Sequence, residues 1–394
     1  MRIAIVTHVV RHNDGQGRVN YEIARAALDE GHEVILVASE VAPELLEHER
    51  LRWVRVIPSR VWPTRLVKQQ IFAIESGLWL RTHRGEYDVL HVNGFITWSR
   101  ADVNTAHFVH GGWLKSPYYP FRLSGGAWSA YQVIYTRVNA WFEGWAYRRS
   151  GVVAAVSEKV AREICATGID GKSVEVVYNG VDTKAFSSAT KNRARFGLSD
   201  DACLLLFVGD LRTPRKNLQT VLQALVALPA DVQLVVAGAL PGSPYPDQAR
   251  ALGIADRVHF LGLVKEMPTL MHSVDVFVFP SRYEAMSLAL LEALAAGLPV
   301  ITASTAGGAE IIGEECGIVL DDPDDVSALT HAIGELAASP ERRHRMGEAA
   351  RELASGFNWA RMARRYLDLY RSFAQRERNS AATPLNTASA QSRA

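Results

Sequence analysis

Cysteine is scarce in this chain: three among 394 residues, at positions 165, 203 and 316. They lie far apart and form no C-x-x-C, so the sequence indicates neither a disulfide framework nor a zinc site, and a reducing cytoplasm is the expected compartment. An excess of one charge is missing too. Lys plus Arg number 43 and Asp plus Glu 42, a net charge of +1, which argues against a nucleic-acid-binding protein and its usual basic excess. No run approaches the ~18 apolar residues of a membrane span, and Ile3-Ala-Ile-Val-Thr-His8 is too short for a span or a signal peptide. Short tandem repeats and His-Cys or H-E-x-x-H clusters are absent as well, so neither a metal nor a bound cofactor is expected.

What the chain does have is apolar content and a rhythm. Hydrophobic residues make up 48% of it, enough for two substantial cores and at least two domains. Strand and helix patterns alternate twice over. The first cycle runs from a strand at Arg2–Thr7 through the loop Asp14-Gly-Gln-Gly17, a helix at Val19–Glu30 and a strand at Gly31–Val37, with further strands at 54–57, 89–92, 103–106, 152–156 and 174–178. The second opens at Cys203–Val208, has a helix at Asn217–Leu228, and continues through strands at 233–237, 258–261, 274–279, 300–302 and 317–320. Such alternation predicts parallel sheets with helices on both faces, hence two doubly wound α/β domains. A turn and a polar, charge-mixed stretch between Asn179 and Asp200 set the boundary, giving domains 1–184 and 185–357. The segment 375–394, rich in Ser, Ala, Thr and Asn without periodicity, reads as a disordered tail.

One glutamate stands alone in the apolar stretch Ser287-Leu-Ala-Leu-Leu-Glu292-Ala-Leu-Ala-Ala-Gly297-Leu-Pro299. Ser287 reads as an N-cap, 288–296 as a short helix apolar on every face, and Gly297 with Pro299 as its stop. Such a helix must be buried, where a carboxylate is costly unless a polar ligand or a distant Arg meets it. Glu284 lies eight residues earlier, after the apolar strand Val274–Phe279, so two acids flank one strand-to-helix turn. The helix start offers the backbone N–H groups of Met286, Ser287 and Leu288 and the positive end of a dipole. Phosphate at those amides with hydroxyls on the two acids describes a sugar nucleotide. The plainer reading makes Glu292 an ordinary buried acid and Glu284 a solvated charge.

The segment Glu284 to Glu292 resembles the E-x7-E signature of the retaining glycosyltransferases of family 4, and Glu292-Ala-Leu-Ala-Ala-Gly-Leu-Pro-Val300 is similar to that family's continuation. Several segments through roughly residue 373 share the resemblance. It departs at Ala285-Met286-Ser287, where the family often has Gly-Phe-Gly. The resemblance implies a GT-B fold, two Rossmann-like domains facing across a cleft, with the acceptor on the first domain, the donor on the second, and a helix at 358–373 crossing back to cover the first. It also implies metal-independent hexosyl transfer with retention, from a nucleotide-diphosphate sugar to a glycan, lipid-linked or small-molecule acceptor in polysaccharide or glycolipid synthesis. Glu284 would then hold sugar hydroxyls and Glu292 the ribose. A non-catalytic sugar-nucleotide-binding subunit, or a sugar-nucleotide epimerase of the same fold, would need the same nucleotide site.

Other segments fit that frame. In Phe207-Val-Gly-Asp-Leu-Arg-Thr-Pro-Arg-Lys-Asn217 a strand ends in Gly and a basic loop precedes a helix, and a departing diphosphate needs cations there. The family has Arg directly after this Gly. Here Asp210 stands in its place, so Arg212 or Arg215 is expected to supply the charge, with Lys216 in the family's lysine position. Val103-Asn-Thr-Ala-His107-Phe-Val-His110-Gly-Gly-Trp113 puts an imidazole at the carboxyl edge of the first sheet, where open α/β sheets bind ligands. By resemblance His107 is the catalytic choice, with His110 and Trp113 toward the acceptor. Gly15 and Gly17 suit close approach to a phosphate, although with Glu40 they also invite a dinucleotide-binding reading. Asp322-Pro-Asp324 mimics a metal-binding D-x-D, but its place just before a helix at Val326–Ala338 is explained by capping.

The last pattern lies in the first domain. Eight of nine Trp precede residue 150, and 52–149 holds 13 Lys plus Arg against 5 Asp plus Glu. Aromatic and basic residues interleave around Trp53, Trp62, Trp79, Trp113 and Trp145. One reading is core tryptophan beneath a solvated charged face. The other is a peripheral contact with an anionic membrane leaflet, or with a glycan acceptor.

Overall fold

The computed structural model describes residues 1–12, 14–58 and 64–382. Its strands are β1 (Arg2–Val6), β2 (Val9–Val10), β3 (Glu33–Ala38), β4 (Glu40–Val41), β5 (Leu51–Arg55), β6 (Val89–Asn93), β7 (Val103–Ala106), β8 (Val152–Ala155), β9 (Val174–Val176), β10 (Cys203–Val208), β11 (Val232–Ala237), β12 (Val258–Gly262), β13 (Val276–Phe279), β14 (Val300–Ala303) and β15 (Gly317–Leu320). One seven-stranded sheet has the order β5-β3-β1-β6-β7-β8-β9, and one six-stranded sheet the order β12-β11-β10-β13-β14-β15. Both are parallel, β1 pairing with β3 and β6, and β10 with β11 and β13. The prediction of two doubly wound sheets therefore holds. Strands such as Leu204–Phe207 and Val276–Phe279 are buried along their whole length, as parallel strands covered on both faces must be.

By compactness the chain divides into two units. One comprises 1–104, 149–152 and the chain from Ala363 onward; the other comprises 105–148 and 153–362. In the first, Tyr366 and Tyr370 of the helix Trp359–Ala382 are fully buried, and Tyr370 Oη lies 2.7 Å from Nδ1 of His91 on β6. That helix runs on past Phe373 to Ala382. The tail reading assigned its last residues to disorder, but Gln375-Arg-Glu-Arg are good helix formers and no Pro occurs before Pro384. Residues 383–394 lie outside the described residues, as does Trp62.

The first long helix also starts earlier than its apolar pattern suggests, at Gly15, because the Asp14 side chain caps it by accepting from Gly17 N at 2.6 Å. Glu40 is engaged by Arg11 at 2.6 Å and opens its own short ladder, β4 with β2.

Candidate active site

The site is built where β10 and β13 of the second unit deliver their loops. After β10 and Gly209 the chain turns through Pro214–Lys216 and enters the helix Leu218–Val226. Asn217 fixes that turn. It is fully buried and, among the described residues, is the non-glycine residue with a positive φ, 64°, a conformation that Asn adopts more readily than most L residues. Its amide donates to Pro280 O at 3.0 Å and Pro323 O at 2.7 Å, and its carbonyl accepts from Thr220 Oγ1 at 2.8 Å. One side chain thereby ties three loops together and holds the two cations before it in place.

Those cations converge on Glu284. Arg215 Nη1 and Lys216 Nζ each stand 2.7 Å from Glu284 Oε1, and Ser281 Oγ is 3.4 Å away. Glu284 is a buried carboxylate. Burial pushes its pKa up, but Lys216 and then Arg215, with the hydrogen bonds of Lys216 and Ser281, outweigh that and hold it below the usual range. Burial drives Lys216 the other way, downward, opposed mainly by Glu284. The reading of Glu284 as a solvated loop charge is thus corrected: the strand that precedes it and the loop facing it exclude water from its side chain. Of the two arginines, Arg215 joins this cluster and Arg212 does not. Arg212 is exposed and paired with Asp210 at 2.9 Å.

Downstream of Glu284 the backbone is clamped. Gly307 N donates to Glu284 O at 2.9 Å, and Ser157 Oγ donates to Ala285 O at 2.6 Å. A Cβ on Gly307 would stand 1.7 Å from Ala285 O, so this close approach requires glycine. Met286 is buried, and Ser287 caps the helix Leu288–Ala296 by accepting from Leu290 N at 3.3 Å. Gly297 ends it in the left-handed region at φ 79°. Boundaries, cap and stop match the sequence reading; the burial does not match it fully. Leu288, Ala289 and Glu292 are half-buried while the other faces are covered, so Glu292 lies on a partly open stripe, one turn after Leu288.

Tyr283, a residue the sequence reading missed, fills the opposite side of this loop. Its hydroxyl lies 2.9 Å from Val109 O and 2.7 Å from Glu163 Oε2. Lys159 Nζ sits 3.6 Å from the centre of its ring and 2.6 Å from Glu163 Oε1. Trp113 and Phe108 pack on the same ring, with centroids 5.0 and 5.1 Å away. Trp113 is accordingly a buried packing residue. Nothing in the sequence marks Tyr283, Lys159 and Glu163 as partners, since 120 positions separate Tyr283 from Glu163. A cavity of about 270 Å³ borders this group, lined by Lys115, Lys159, Glu163, Arg282, Tyr283 and Thr305. Two of its three cations are already paired, Lys159 with Glu163 and Arg282 with Asp324.

The two histidines have different surroundings. His110 begins the helix His110–Lys115 and is held by Glu143, through its backbone N–H at 2.8 Å and Nδ1 at 2.6 Å. His107 follows β7, and burial lowers its pKa to about 4, so its imidazole is neutral at neutral pH. In the aspartate run, Asp325 caps the helix Val326–Ala338, Asp324 pairs with Arg282 at 2.7 Å, and Asp322 accepts from Tyr118 Oη at 2.9 Å. Gly15 and Gly17 belong to the first unit, at the start of its first helix. A side chain at Gly17 would meet Asp14 within 2.9 Å, whereas Gly15 faces open space. Of the interleaved tryptophans, Trp53 is tied to Ala38 O at 2.9 Å and Trp53, Trp79 and Trp145 are half-buried. Trp98, Trp128 and Trp141 are exposed instead.

A cationic loop, a buried acid and a capped helix thus stand together at the carboxyl ends of parallel strands, the edge at which open α/β sheets bind ligands. Comparison with known proteins gives the family. Residues 13–185 match Glycosyltransferase Family 4, and residues 188–353 match Glycosyl transferases group 1. The chain is 29% identical over 327 residues to the D-inositol 3-phosphate glycosyltransferase of Xylanimonas cellulosilytica, covering 76% of each protein. Its fold is similar to that of the sucrose-phosphate synthase of Thermosynechococcus elongatus, with a TM-score of 0.77 at 21% identity, covering 95% of this chain and 99% of that one. It is also similar to that of the Anabaena protein HepE in complex with UDP and glucose, with a TM-score of 0.71 at 20% identity, covering 94% of this chain and 100% of that one. The chain belongs to the family 4 glycosyltransferases, which have the GT-B fold, and it is a glycosyltransferase. Among the described residues no helix is long and apolar enough to cross a membrane.

Proposed function

We propose that this enzyme transfers a hexose from a nucleotide-diphosphate sugar to an acceptor hydroxyl, with retention of anomeric configuration and without a metal ion. The observation that carries this is the meeting of Arg215 and Lys216 on Glu284, 2.7 Å from each. Two cations held in a partly dry loop suit a diphosphate, whose developing charge is the main electrostatic demand of glycosyl transfer. Arg215, rather than Arg212, supplies the arginine. As the bond from the sugar carbon to the diphosphate breaks, the bond to the acceptor oxygen forms on the same face, and the hydroxyl proton leaves with the diphosphate. Glu284 keeps the cations oriented and meets sugar hydroxyls, and Glu292, on the open stripe of its helix, takes the ribose. The amides of Met286 to Leu288 face the phosphate, and neutral His107 meets the transferred sugar. Gly15 and Gly17 keep the phosphate-approach role that the family resemblance gives them.

The acceptor is a glycan, a lipid-linked sugar or a small molecule; the inositol phosphate in the name of the Xylanimonas relative supports a small anionic one. The basic and aromatic content of 52–149 supports a peripheral contact with an anionic membrane. The test of the chemistry is a panel of nucleotide sugars, with release of nucleotide diphosphate followed with and without acceptors and with chelator. Product anomers are then assigned by NMR. Release by no donor would end the reading, an inverted product would end the retaining mechanism, and loss of activity in chelator would end the metal-independent one.

A further inference from the structure

A groove of about 1040 Å³ lies on the unit made of 1–104, 149–152 and 363 onward. Its walls come from the end of the helix Arg65–Thr82, the segment leading into β7, and Arg149 just before β8. These residues all precede strands. In a parallel sheet they lie at the edge opposite the one where β1 leads on to Gly15 and Gly17. Within this unit the groove is therefore away from the Gly15 and Gly17 turn.

Its lining combines apolar side chains with four arginines. Ile74, Leu78 and Arg81 form one stripe along the helix, and Gly77 brings that helix against the neighbouring segment: a Cβ there would stand 3.4 Å from Thr97 Oγ1 and 3.6 Å from Trp98 N. Ile74 is 50% exposed, Leu78 58% and Trp98 39%, an apolar surface that the fold leaves uncovered. Around it stand the exposed Arg81, Arg84, Arg100 and Arg149. Arg84 is turned onto Tyr87, donating to its carbonyl at 3.1 Å. Among the described residues neither Arg81 nor Arg100 makes an ion pair. The acid of the lining, Asp102, already accepts from Leu90 N at 2.8 Å.

We propose that this groove seats the enzyme on an anionic bilayer, with a phospholipid phosphate among the arginines and the apolar part of that lipid against Ile74, Leu78 and Trp98. Charge complementarity selects this occupant. A planar guanidinium matches phosphate oxygens, and Trp suits the headgroup layer. A soluble anion would leave the apolar stripe in water, and a neutral lipid would offer no charge to Arg81 and Arg100. The inference rests on the membrane contact proposed above and gives that contact a place.

The test is co-sedimentation with vesicles of equal parts phosphatidylglycerol and phosphatidylcholine, and with phosphatidylcholine alone. Wild type, the double variant Arg81→Glu/Arg100→Glu, Leu78→Asp, and Trp141→Ser on the helix Ala127–Arg148 are compared at low salt. We expect wild type and Trp141→Ser to bind the anionic vesicles, and both groove variants to bind them at least about tenfold less. All four should keep their circular dichroism and their release of nucleotide diphosphate. If wild type shows no preference for anionic vesicles, the membrane reading falls and the groove with it. If wild type binds and the groove variants bind equally, or Trp141→Ser alone loses binding, the membrane reading stands and the groove is overturned. Displacement of wild type by glycerol phosphate alone would overturn the lipid occupant in favour of a simple phosphate site.

Discussion

Lys216 and Arg215 are adjacent in sequence and both reach one oxygen of Glu284, so a single buried carboxylate is shared by two cations, each 2.7 Å away. A second anion, the donor diphosphate, would enter beside a cluster whose single acid leaves one positive charge uncompensated. Its affinity therefore depends on how the three charges share one another.

Removing the charge of Glu284 should unbalance that cluster. Glu284→Gln leaves Arg215 and Lys216 half-buried without their anion, and a loss of about 3 kcal/mol in unfolding free energy is expected. Because Glu284's pKa is depressed in the folded protein, its contribution is present above its unfolded pKa and is lost as pH falls through the folded value. Urea titrations of wild type and Glu284→Gln should thus converge in acid. A variant as stable as wild type at neutral pH would contradict the pairing.

The loop separates its arginines. Arg215→Ala and Lys216→Ala should each lower turnover by about a hundredfold, as expected when one donor to developing charge is removed, while Arg212→Ala stays near wild type because its guanidinium is exposed on Asp210. Steady-state kinetics on the three variants decide this, and a large effect confined to Arg212→Ala would reverse the assignment.

Glu292 tests the donor end. Glu292→Ala should weaken binding of the nucleotide diphosphate by about 1.5 to 3 kcal/mol, the range for hydrogen bonds to a charged group. The half-buried position of this residue makes a large loss of folding stability unexpected. Calorimetry showing wild-type affinity would remove Glu292 from the ribose.

His107 gives a pH signature. Its folded pKa is lowered to about 4 by burial, so between about pH 4 and pH 6.5 the unfolded chain binds a proton that the folded chain does not, and stability falls as the solution is acidified. The full span corresponds to up to about 3 kcal/mol. His8, lowered to about 4 mainly by its own burial, adds a change of the same sign. His107→Gln should therefore flatten, without abolishing, the loss of stability between about pH 7.5 and about pH 5. Parallel profiles for variant and wild type would place the proton elsewhere.

Gly307→Ala should disturb the loop that carries Glu284. The added methyl would stand 1.7 Å from Ala285 O, so the backbone must move, and a drop in melting temperature together with weaker donor binding is expected. Gly15→Ala, in open space, is the control that should change stability little.

Much of this protein is written locally. Short apolar strands punctuated by turns specify two parallel sheets, because the side-chain period and the chain's hydrophobic content leave few other ways to bury it. Ser287, the apolar run 288–296 and Gly297 specify a helix with both ends, because caps and stops act within a few residues. The tertiary structure alone decided which charges meet. The choice of Arg215 over Arg212, the placing of Tyr283 between Glu163 and Lys159, and the tethering of Asn217 to Pro280 and Pro323 depend on segments 60 to 120 positions apart. It also decided which tryptophans are covered and that Glu292 lies on an open stripe. Ion pairs, exposure and pKa shifts are fixed by distance through space and by exclusion of water, and these exist only once the loops of separate strands have been brought to one edge of a sheet.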